Sequence, residues 1–449
     1  MRRTEAEELQ PLKNNLNLTP LKKATFILSI LFLANLAKGQ ENILALSTAL
    51  EQALENNYGL IISRASLDVA EINNNWGRAG RYPTVGFTAS DNNSYELNSN
   101  LYTNRLAAGV GLNWTLFDGF RVNITKNSLE NLEDLSSGRL AVQVESTIED
   151  IILAYYTVLL QKEQLQVLET VMRLSEDRYQ YEQKKKSLGG SVTYNVLQAK
   201  NVYLTDKANY MNQEVMVRNT VRNLNYMMGL ESTQSWEFAE SFEADTSDYI
   251  LADLLSKMKS DNQSLKNQYT NLLLQENETS LQKSAYYPSL SLGAGMDYGH
   301  TRTYSGGSQS LNSESLTPYG NVRLSFDIYS AGVKKRGVEI ARINEDVAKV
   351  EIDQMEHALT NELFNLFDYH QVRLELLNVA NENLEAAELN LSISEDKYRS
   401  GVINSFNYRD IQLIYLNVSY QRLQAIYNLI SSKAGLTRIT GGFLGYSTE

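Results

Sequence analysis

The side chains that most often carry enzyme chemistry are few and scattered in this chain. The three histidines, His300, His357 and His370, have no His-Glu-x-x-His spacing, and the sequence contains no cysteine. A zinc site or a catalytic thiolate is therefore not indicated. There is also no Gly-x-Ser-x-Gly elbow, phosphate loop or dinucleotide fingerprint. The sequence predicts no catalytic residues, no metal site and no cofactor.

Two basic clusters stand out against a net charge of −12, which itself argues against nucleic acid as a partner. Lys184-Lys185-Lys186 comes just before a Gly-Gly turn, and Lys334-Lys335-Arg336 comes just after an alternating apolar segment. The first cluster fits either contact with an acidic partner protein or a solvated helix face. The second fits contact with lipid phosphates where a strand leaves a membrane.

The N-terminus has the pattern of an export signal. Lys22 and Lys23 precede the apolar stretch Ala24–Ala37, and Ala37-Lys38-Gly39 offers a cleavage site with small residues. This predicts a signal peptide over residues 1–39. The alternative, a membrane anchor, is disfavoured because the stretch has 14 residues and a spanning helix needs about 20. No later apolar run is long enough, so membrane insertion would require strands in a closed barrel.

The rest of the chain repeats one unit twice. Arg81-Tyr82-Pro83 resembles Tyr286-Tyr287-Pro288 at a spacing of 205, and Trp114-Thr115-Leu116-Phe117 resembles Phe326-Asp327-Ile328-Tyr329 at a spacing of 212. The change in spacing predicts a longer loop over residues 300–317 of the second copy. The predicted domains are a first unit at 40–230, a linker at 231–250, a second unit at 251–436 and a tail at 437–449.

Each unit is predicted to contain one β-hairpin. Alternation of apolar with small or polar residues predicts strands at 83–91 and 106–117, and at 288–298 and 319–329. Four strands cannot close a barrel that passes a solute, and an open sheet edge is not tolerated in lipid. The chain is therefore expected to oligomerise, and three copies would supply twelve strands.

Helices occupy the remainder of each unit. Leu46 begins an i, i+3, i+4 pattern that predicts a helix to about Trp76. After each hairpin comes a stretch with no proline, from Val122 to about Lys186 and from Val333 to Arg399, on the order of 100 Å as a helix. Helices this long need lateral packing. Turns at Gly189-Gly190 and at Gly401 return the chain through a second helix, which is predicted to end at Gly229 or Gly435.

This ordered set of features resembles the TolC family of outer-membrane efflux proteins. The markers are the duplicated unit, the Tyr-Pro start of each hairpin, Trp114-x-Leu116-Phe117-Asp118-Gly119, and Lys397-Tyr398-Arg399-Ser400-Gly401 followed by Asp410. The resemblance implies a mainly helical fold of two tandem repeats in a homotrimer, with a twelve-stranded barrel in the outer membrane of a Gram-negative bacterium and a periplasmic helical tunnel. It also implies a periplasmic adaptor (membrane fusion) protein and an inner-membrane transporter as partners.

The resemblance further assigns roles to residues at the helical tips, where Gly189, Gly190 and Gly401 form the turns. The family pattern after each tip begins with an acid, whereas this chain has Asn195, followed by Gln198, and Asn407. Asp410 remains as a candidate for a lumen ring that favours cations, or as an exposed residue near a helix start. Tyr398 and Arg399 match a family gate latch, although Tyr398 could instead simply pack between helices.

The predicted function is a passive exit duct for small molecules or proteins, in a tripartite efflux or type I secretion system. The alternative is a structural coiled-coil protein of the periplasm or cell surface that has no pore. Strands of about ten alternating residues favour the duct. No cluster of His or Met points to a metal cargo, and the sequence does not separate drugs, metals and proteins as substrates.

Overall fold

The computed structural model describes residues 43–305 and 309–444, so the predicted signal peptide at 1–39 lies outside the described residues. The predicted fold class, mainly helical with two tandem repeats and a β part, is confirmed. The helices are α1 (Leu46–Asn56), α2 (Tyr58–Asn73), α3 (Arg121–Ser187), α4 (Thr193–Met227), α5 (Leu251–Asp261), α6 (Gln263–Ser284), α7 (Val333–Arg399) and α8 (Ser405–Ile439). The strands are β1 (Ile43–Leu44), β2 (Thr84–Glu96), β3 (Leu101–Asp118), β4 (Glu237–Phe238), β5 (Ser289–Ser305) and β6 (Gln309–Ser325).

Each repeat begins with two short helices that are separated by an asparagine. Asn57 caps the first turn of α2, and its Nδ2 donates a hydrogen bond to the carbonyl of Met227 at 2.9 Å. Asn262 caps α6 in the same way and donates to the carbonyl of Ile439 at 3.0 Å. The prediction of one continuous helix to about Trp76 is therefore wrong, because an Asn side chain that accepts from the next turn starts a new helix.

The return helix of each repeat ends at a glycine in the left-handed conformation. Gly229 and Gly441, which are 212 positions apart, have φ of +70° and +69°. A Cβ on Gly441 would lie 2.7 Å from the carbonyl oxygen of Asp261, so both the conformation and the close contact require glycine. The prediction that Gly435 ends the second helix is wrong, since Gly435 is buried inside α8, which continues beyond residue 436 to Ile439.

The two hairpins form one antiparallel sheet with the order β2-β3-β5-β6. All four strands differ from the predicted bounds. In the segment predicted as a loop, residues 300–305 extend β5 and residues 309–317 extend β6, and residues 326–329 lie outside any strand. The outer parts of the strands are rich in Asn, Ser and Thr, so they lack the apolar alternation on which the sequence prediction depended.

The two faces of the sheet have different chemistry. On one face lie large apolar side chains, among them Val85, Phe87, Val110 and Trp114, all of them exposed in the single chain. The other face carries glycines and small polar residues, and the Tyr319 ring lies so close that a Cβ on Gly295 would be 2.7 Å from its Cζ. This is the pattern of a membrane strand with a lipid face and a lumen face.

The helices pack side by side around α3, which contacts α2, α4, α6 and α8, while α7 contacts α6 and α8. The central core surrounds Tyr155, whose hydroxyl donates to the carbonyl of Leu44 at 2.9 Å and also contacts Glu240. Phe242 is buried there too, and β4 pairs in parallel with β1, so the predicted linker at 231–250 contributes to the core. Among the described residues, no helix is long and apolar enough to cross a membrane.

Candidate gate at the helical tips

The two long helical hairpins turn at equivalent glycines. Gly189 and Gly401 each have φ of +78°, a conformation that side chains with a Cβ rarely adopt, and no atom lies within 4 Å of a Cβ built on either. Gly190 follows the first turn, and its amide donates to the carbonyl of Lys185 at 2.8 Å. The predicted turns are thus in place, and they bring the C-terminal ends of α3 and α7 close to each other.

A buried carboxylate joins the first hairpin to the second. Glu182 is 2% exposed and accepts a hydrogen bond from the hydroxyl of Tyr398 at 2.8 Å and another from Ser191 at 2.5 Å. Tyr398 itself is 4% exposed. Burial, reinforced by the adjacent carboxylate of Glu182, raises the pKa of Tyr398 above its usual range, so the phenol keeps its proton and remains a donor.

Two arginines add further links at the tip. Arg178 is 3% exposed, and its Nη1 donates to the carbonyl of Ser405 at 3.0 Å. Burial, with the nearby charge of Arg409, lowers the Arg178 pKa from its usual value. Arg409 makes a bidentate ion pair with Asp206, with both N–O distances at 2.8 Å. Because this pair connects α8 to α4, it joins the two hairpins within one chain.

Aromatic rings fill the space between these charges. Tyr408 stacks on Tyr398 with ring centroids 4.9 Å apart, and Tyr181 contacts the edge of Tyr398 at 5.2 Å. The Tyr181 hydroxyl donates to the carbonyl of Arg399 at 3.1 Å. The tip is therefore held by charge-assisted hydrogen bonds that are shielded from water, and separating them without water entry would leave buried charges without partners.

The structure separates the residues that the sequence grouped at the tip. Tyr398 lies inside the buried cluster, whereas the Arg399 side chain is exposed and pairs with Glu395 of its own helix at 2.6 Å. Asp410 is exposed and forms no ion pair among the described residues. The remaining predicted residues are Asn407, which is exposed, and Asn195 and Gln198, which are half-buried. Asn195 donates to Ser191 at 3.4 Å.

Sequence reasoning missed the charged members of this cluster. Glu182, Arg178, Asp206 and Arg409 each lie on a long polar helix, where many charged residues face solvent. No local spacing distinguishes them from their neighbours. One signal was present: Glu176-Asp177-Arg178-Tyr179 resembles Glu395-Asp396-Lys397-Tyr398, and these two segments contain the buried Arg178 and Tyr398.

A second buried carboxylate lies midway along α3. Glu145 is 4% exposed, and its Oε1 has no hydrogen-bond partner within the described part of the chain. Burial raises the pKa of Glu145 to about 7, against the opposing charges of Arg438 and Lys266. Arg438 is ion-paired one turn away with Glu149 at 2.6 Å and also with a carboxylate of α7. Within residues 43–305 and 309–444, no group of three or more His, Cys, Asp or Glu could hold a metal ion.

Comparison with known proteins agrees with this architecture. The fold is shared with solved outer-membrane channels. The profile of the outer membrane efflux protein family matches residues 49–230 and 254–442, which together are more than half of the chain. The chain belongs to this family, and the family resemblance inferred from the sequence is confirmed. No curated protein sequence matches it significantly.

Solved structures of outer-membrane channels share the fold. CusC, described for its transmembrane channel formation, superposes with a TM-score of 0.72 at 16% identity, covering 88% of this chain and 92% of CusC. The Campylobacter jejuni CmeC outer membrane channel gives 0.70 at 16% identity, covering 88% and 85%. The open state of the Neisseria gonorrhoeae MtrE outer membrane channel gives 0.69 at 14% identity, covering 89% of each chain.

Proposed function

We propose that this chain is the subunit of an outer-membrane exit duct that serves a tripartite efflux or type I secretion system. The observation that carries the proposal is the four-stranded sheet, which has one apolar face and continues directly into helices of about 100 Å. Within the described residues, the outer edges of β2 and β6 have no strand partner. Three copies would pair β6 of one with β2 of the next and close a twelve-stranded barrel, which removes every edge from lipid.

In this arrangement the long helices extend into the periplasm, and the tips face the inner membrane of a Gram-negative cell. A periplasmic adaptor and an inner-membrane transporter would supply the cargo, small molecules or proteins, and the energy. Lys184 and Lys186 are exposed beside the first tip, so an acidic surface of the adaptor could bind them. The chain itself acts as a passive duct and catalyses no reaction.

The tip cluster is the gate of this duct. While Tyr398 contacts Glu182 and Arg409 contacts Asp206, the second hairpin cannot move away from the first. Opening exposes these groups to water, which replaces the lost hydrogen bonds. Three exposed Asp410 side chains would form an acidic ring around the passage and favour cations.

The barrel is tested with two neighbouring substitutions in β2. Phe87 lies on the apolar face and Thr88 on the opposite face, where it pairs with Gly109. Phe87→Arg should reduce heat-modifiable trimers in the outer-membrane fraction, because arginine on a lipid face costs about 2 to 4 kcal/mol at mid-membrane. Thr88→Arg should assemble normally and change only the single-channel conductance.

The alternative, a structural protein without a pore, gives a different result. In that case the wild-type chain would produce no conductance in planar bilayers, and both arginine variants would fractionate alike. Either observation would exclude the duct.

A further inference from the structure

A cavity of about 350 Å³ lies where the first hairpin meets α3, at the periplasmic border of the sheet. We call it the border cavity, and its key lining residues are Arg81, Trp114, Phe117, Asp118 and Phe120. One protomer builds it entirely from the segment before β2, the end of β3 and the start of α3. The gate and the duct proposed above make no use of this cavity.

The aromatic side of the cavity belongs to the lipid face of the sheet. Trp114 lies on that face together with Leu112 and Val110. Beyond a β-bulge, Phe117 pairs with Leu290, another apolar residue. Aromatic residues of membrane proteins concentrate at this level, where acyl chains meet headgroups. An occupant of the cavity would therefore contact the hydrocarbon boundary on one side and water on the other.

Arg81 lines the polar side of the cavity. Arg81 stacks on the ring of Trp76 at 4.6 Å, and its own carbonyl accepts from Trp114 Nε1 at 2.9 Å, so the backbone and the side chain are both held in place. Among the described residues, no carboxylate lies within ion-pair distance of Arg81. Asp118 also lines the cavity, but its Oδ1 accepts from the amide of Val122 at 3.4 Å.

Both repeats have two consecutive residues with positive φ at this junction, Gly119-Phe120 in the first and Ala331-Gly332 in the second, so the strained side chain lies at different positions. The residue before α7 is Gly332, with φ of +76°, whereas the matching residue before α3 is Phe120, with φ of +70°. A non-glycine residue in this region costs roughly 1 to 2 kcal/mol. Phe120 is nonetheless 55% exposed, with its ring edge-to-face against Phe117 at 5.3 Å. Tyr286 replaces Arg81 in the second repeat, so only the first repeat combines the cation with the strained aromatic.

We propose that the border cavity binds a phospholipid of the surrounding bilayer, with the phosphate on Arg81 and the glycerol and upper acyl chain against Trp114, Phe117 and Phe120. An arginine that is already stacked and oriented loses little freedom when it binds a phosphate. The Phe120 ring already contacts Phe117 and Tyr287, and its exposed surface gains further apolar contact when such a chain is present. The inference rests on the membrane placement in the proposed function.

The test is native mass spectrometry of the full-length protein in detergent with dioleoyl phosphatidylglycerol as the probe. The wild-type protein should retain about one tightly bound lipid per chain. Arg81→Ala should weaken binding about tenfold, as expected for the loss of one charge-assisted hydrogen bond. The matched control is Arg139→Ala, which removes an exposed arginine from α3 away from the sheet and should bind lipid as the wild type does.

Phe120→Gly separates binding from folding. It installs the residue of the second repeat, so the unfolding temperature should stay the same or rise while lipid retention falls. Equal lipid retention in Arg81→Ala and wild type would overturn the proposal, as would equal loss in Arg139→Ala. Displacement of the lipid by millimolar inorganic phosphate would also overturn it. If the wild-type protein retains lipid but forms no conducting pore, the proposed duct fails and the lipid site stands.

Discussion

Removing one hydroxyl from the helical tip should open the proposed duct. In Tyr398→Phe the ring remains, so the stacking on Tyr408 at 4.9 Å is preserved, but the hydrogen bond of 2.8 Å to Glu182 is lost. Among the described residues, Glu182 then keeps only Ser191 as a hydrogen-bond donor, in a site where the carboxylate is 2% exposed. The loss of this hydrogen bond raises the free energy of the closed tip, whereas in the open tip water can solvate the carboxylate.

The size of the effect follows from the chemistry of the contact. A hydrogen bond to a charged group contributes about 1.5 to 3 kcal/mol, and leaving a buried acceptor without a donor costs a similar amount. The equilibrium between closed and open tips should therefore shift roughly 10- to 150-fold toward the open form. Single-channel recording in planar bilayers measures this shift as a higher open probability or a larger mean conductance.

The neighbouring residue provides the control. Arg399→Ala removes an exposed pair with Glu395 on the same helix, and such i, i+4 pairs contribute about 0.3 to 0.5 kcal/mol, so the equilibrium should change about twofold or less. Unchanged conductance and unchanged sensitivity to large antibiotics in Tyr398→Phe would refute the gate. So would an equal response to Arg399→Ala, since that would mean the tip responds to any loss of charge or side chain.

Three further outcomes are expected. In the folded protein Glu145 holds its proton up to about pH 7, whereas its usual pKa is 4.5, so the free energy of unfolding should fall by up to about 3 kcal/mol as pH rises between these values. Glu145→Gln should abolish this fall in thermal unfolding scans. The control Glu385→Gln, at an exposed position, should leave the fall unchanged. Gly441→Ala should destabilise the protein by about 1 to 3 kcal/mol more than Gly401→Ala. Both substitutions incur backbone strain, but only at Gly441 would the new Cβ clash with a carbonyl oxygen. Equal decreases in the free energy of unfolding, measured by urea titration, would contradict this. Asp410→Ala should weaken the block of conductance by divalent or trivalent cations, and an unchanged block would exclude the acidic ring.

The long helices were the most predictable part of the fold. Their observed bounds, Arg121–Ser187 and Val333–Arg399, lie within a residue of those expected, because proline is absent and glycine marks the turns. The duplicated unit was also the main basis for assigning the chain to the outer membrane efflux protein family. The outer halves of the strands could not be predicted, since polar residues on both faces remove the alternation of apolar and polar side chains that indicates a strand. Likewise, the break at Asn57 depends on a side chain that reaches a carbonyl 170 residues away.

Of the candidate site, the sequence could supply the turns and one member of the cluster, Tyr398. The rest depends on pairing between helices. Asp206 and Arg409 are 203 residues apart, and each looks like an ordinary solvated charge on its own helix. Only the lateral order of the helices decides that they meet and exclude water. Whether the exposed Asp410 and Asn407 and the half-buried Asn195 and Gln198 line a passage stays a prediction, because it depends on a second and third copy of the chain.

The shared core around Tyr155 has a consequence for how the molecule folds. The second repeat has a cluster of its own around Met258 and Leu363, but the larger core around Tyr155 is shared: Leu423, Ile426 and Leu429 from the last helix pack with Ile151 and Val158 of the first long helix. A fragment ending at residue 230 would expose that apolar surface. The final helix must therefore be synthesised before the first repeat can bury it. Contacts of such long sequence separation form slowly, so the exported chain should remain open to chaperones and proteases until it is complete.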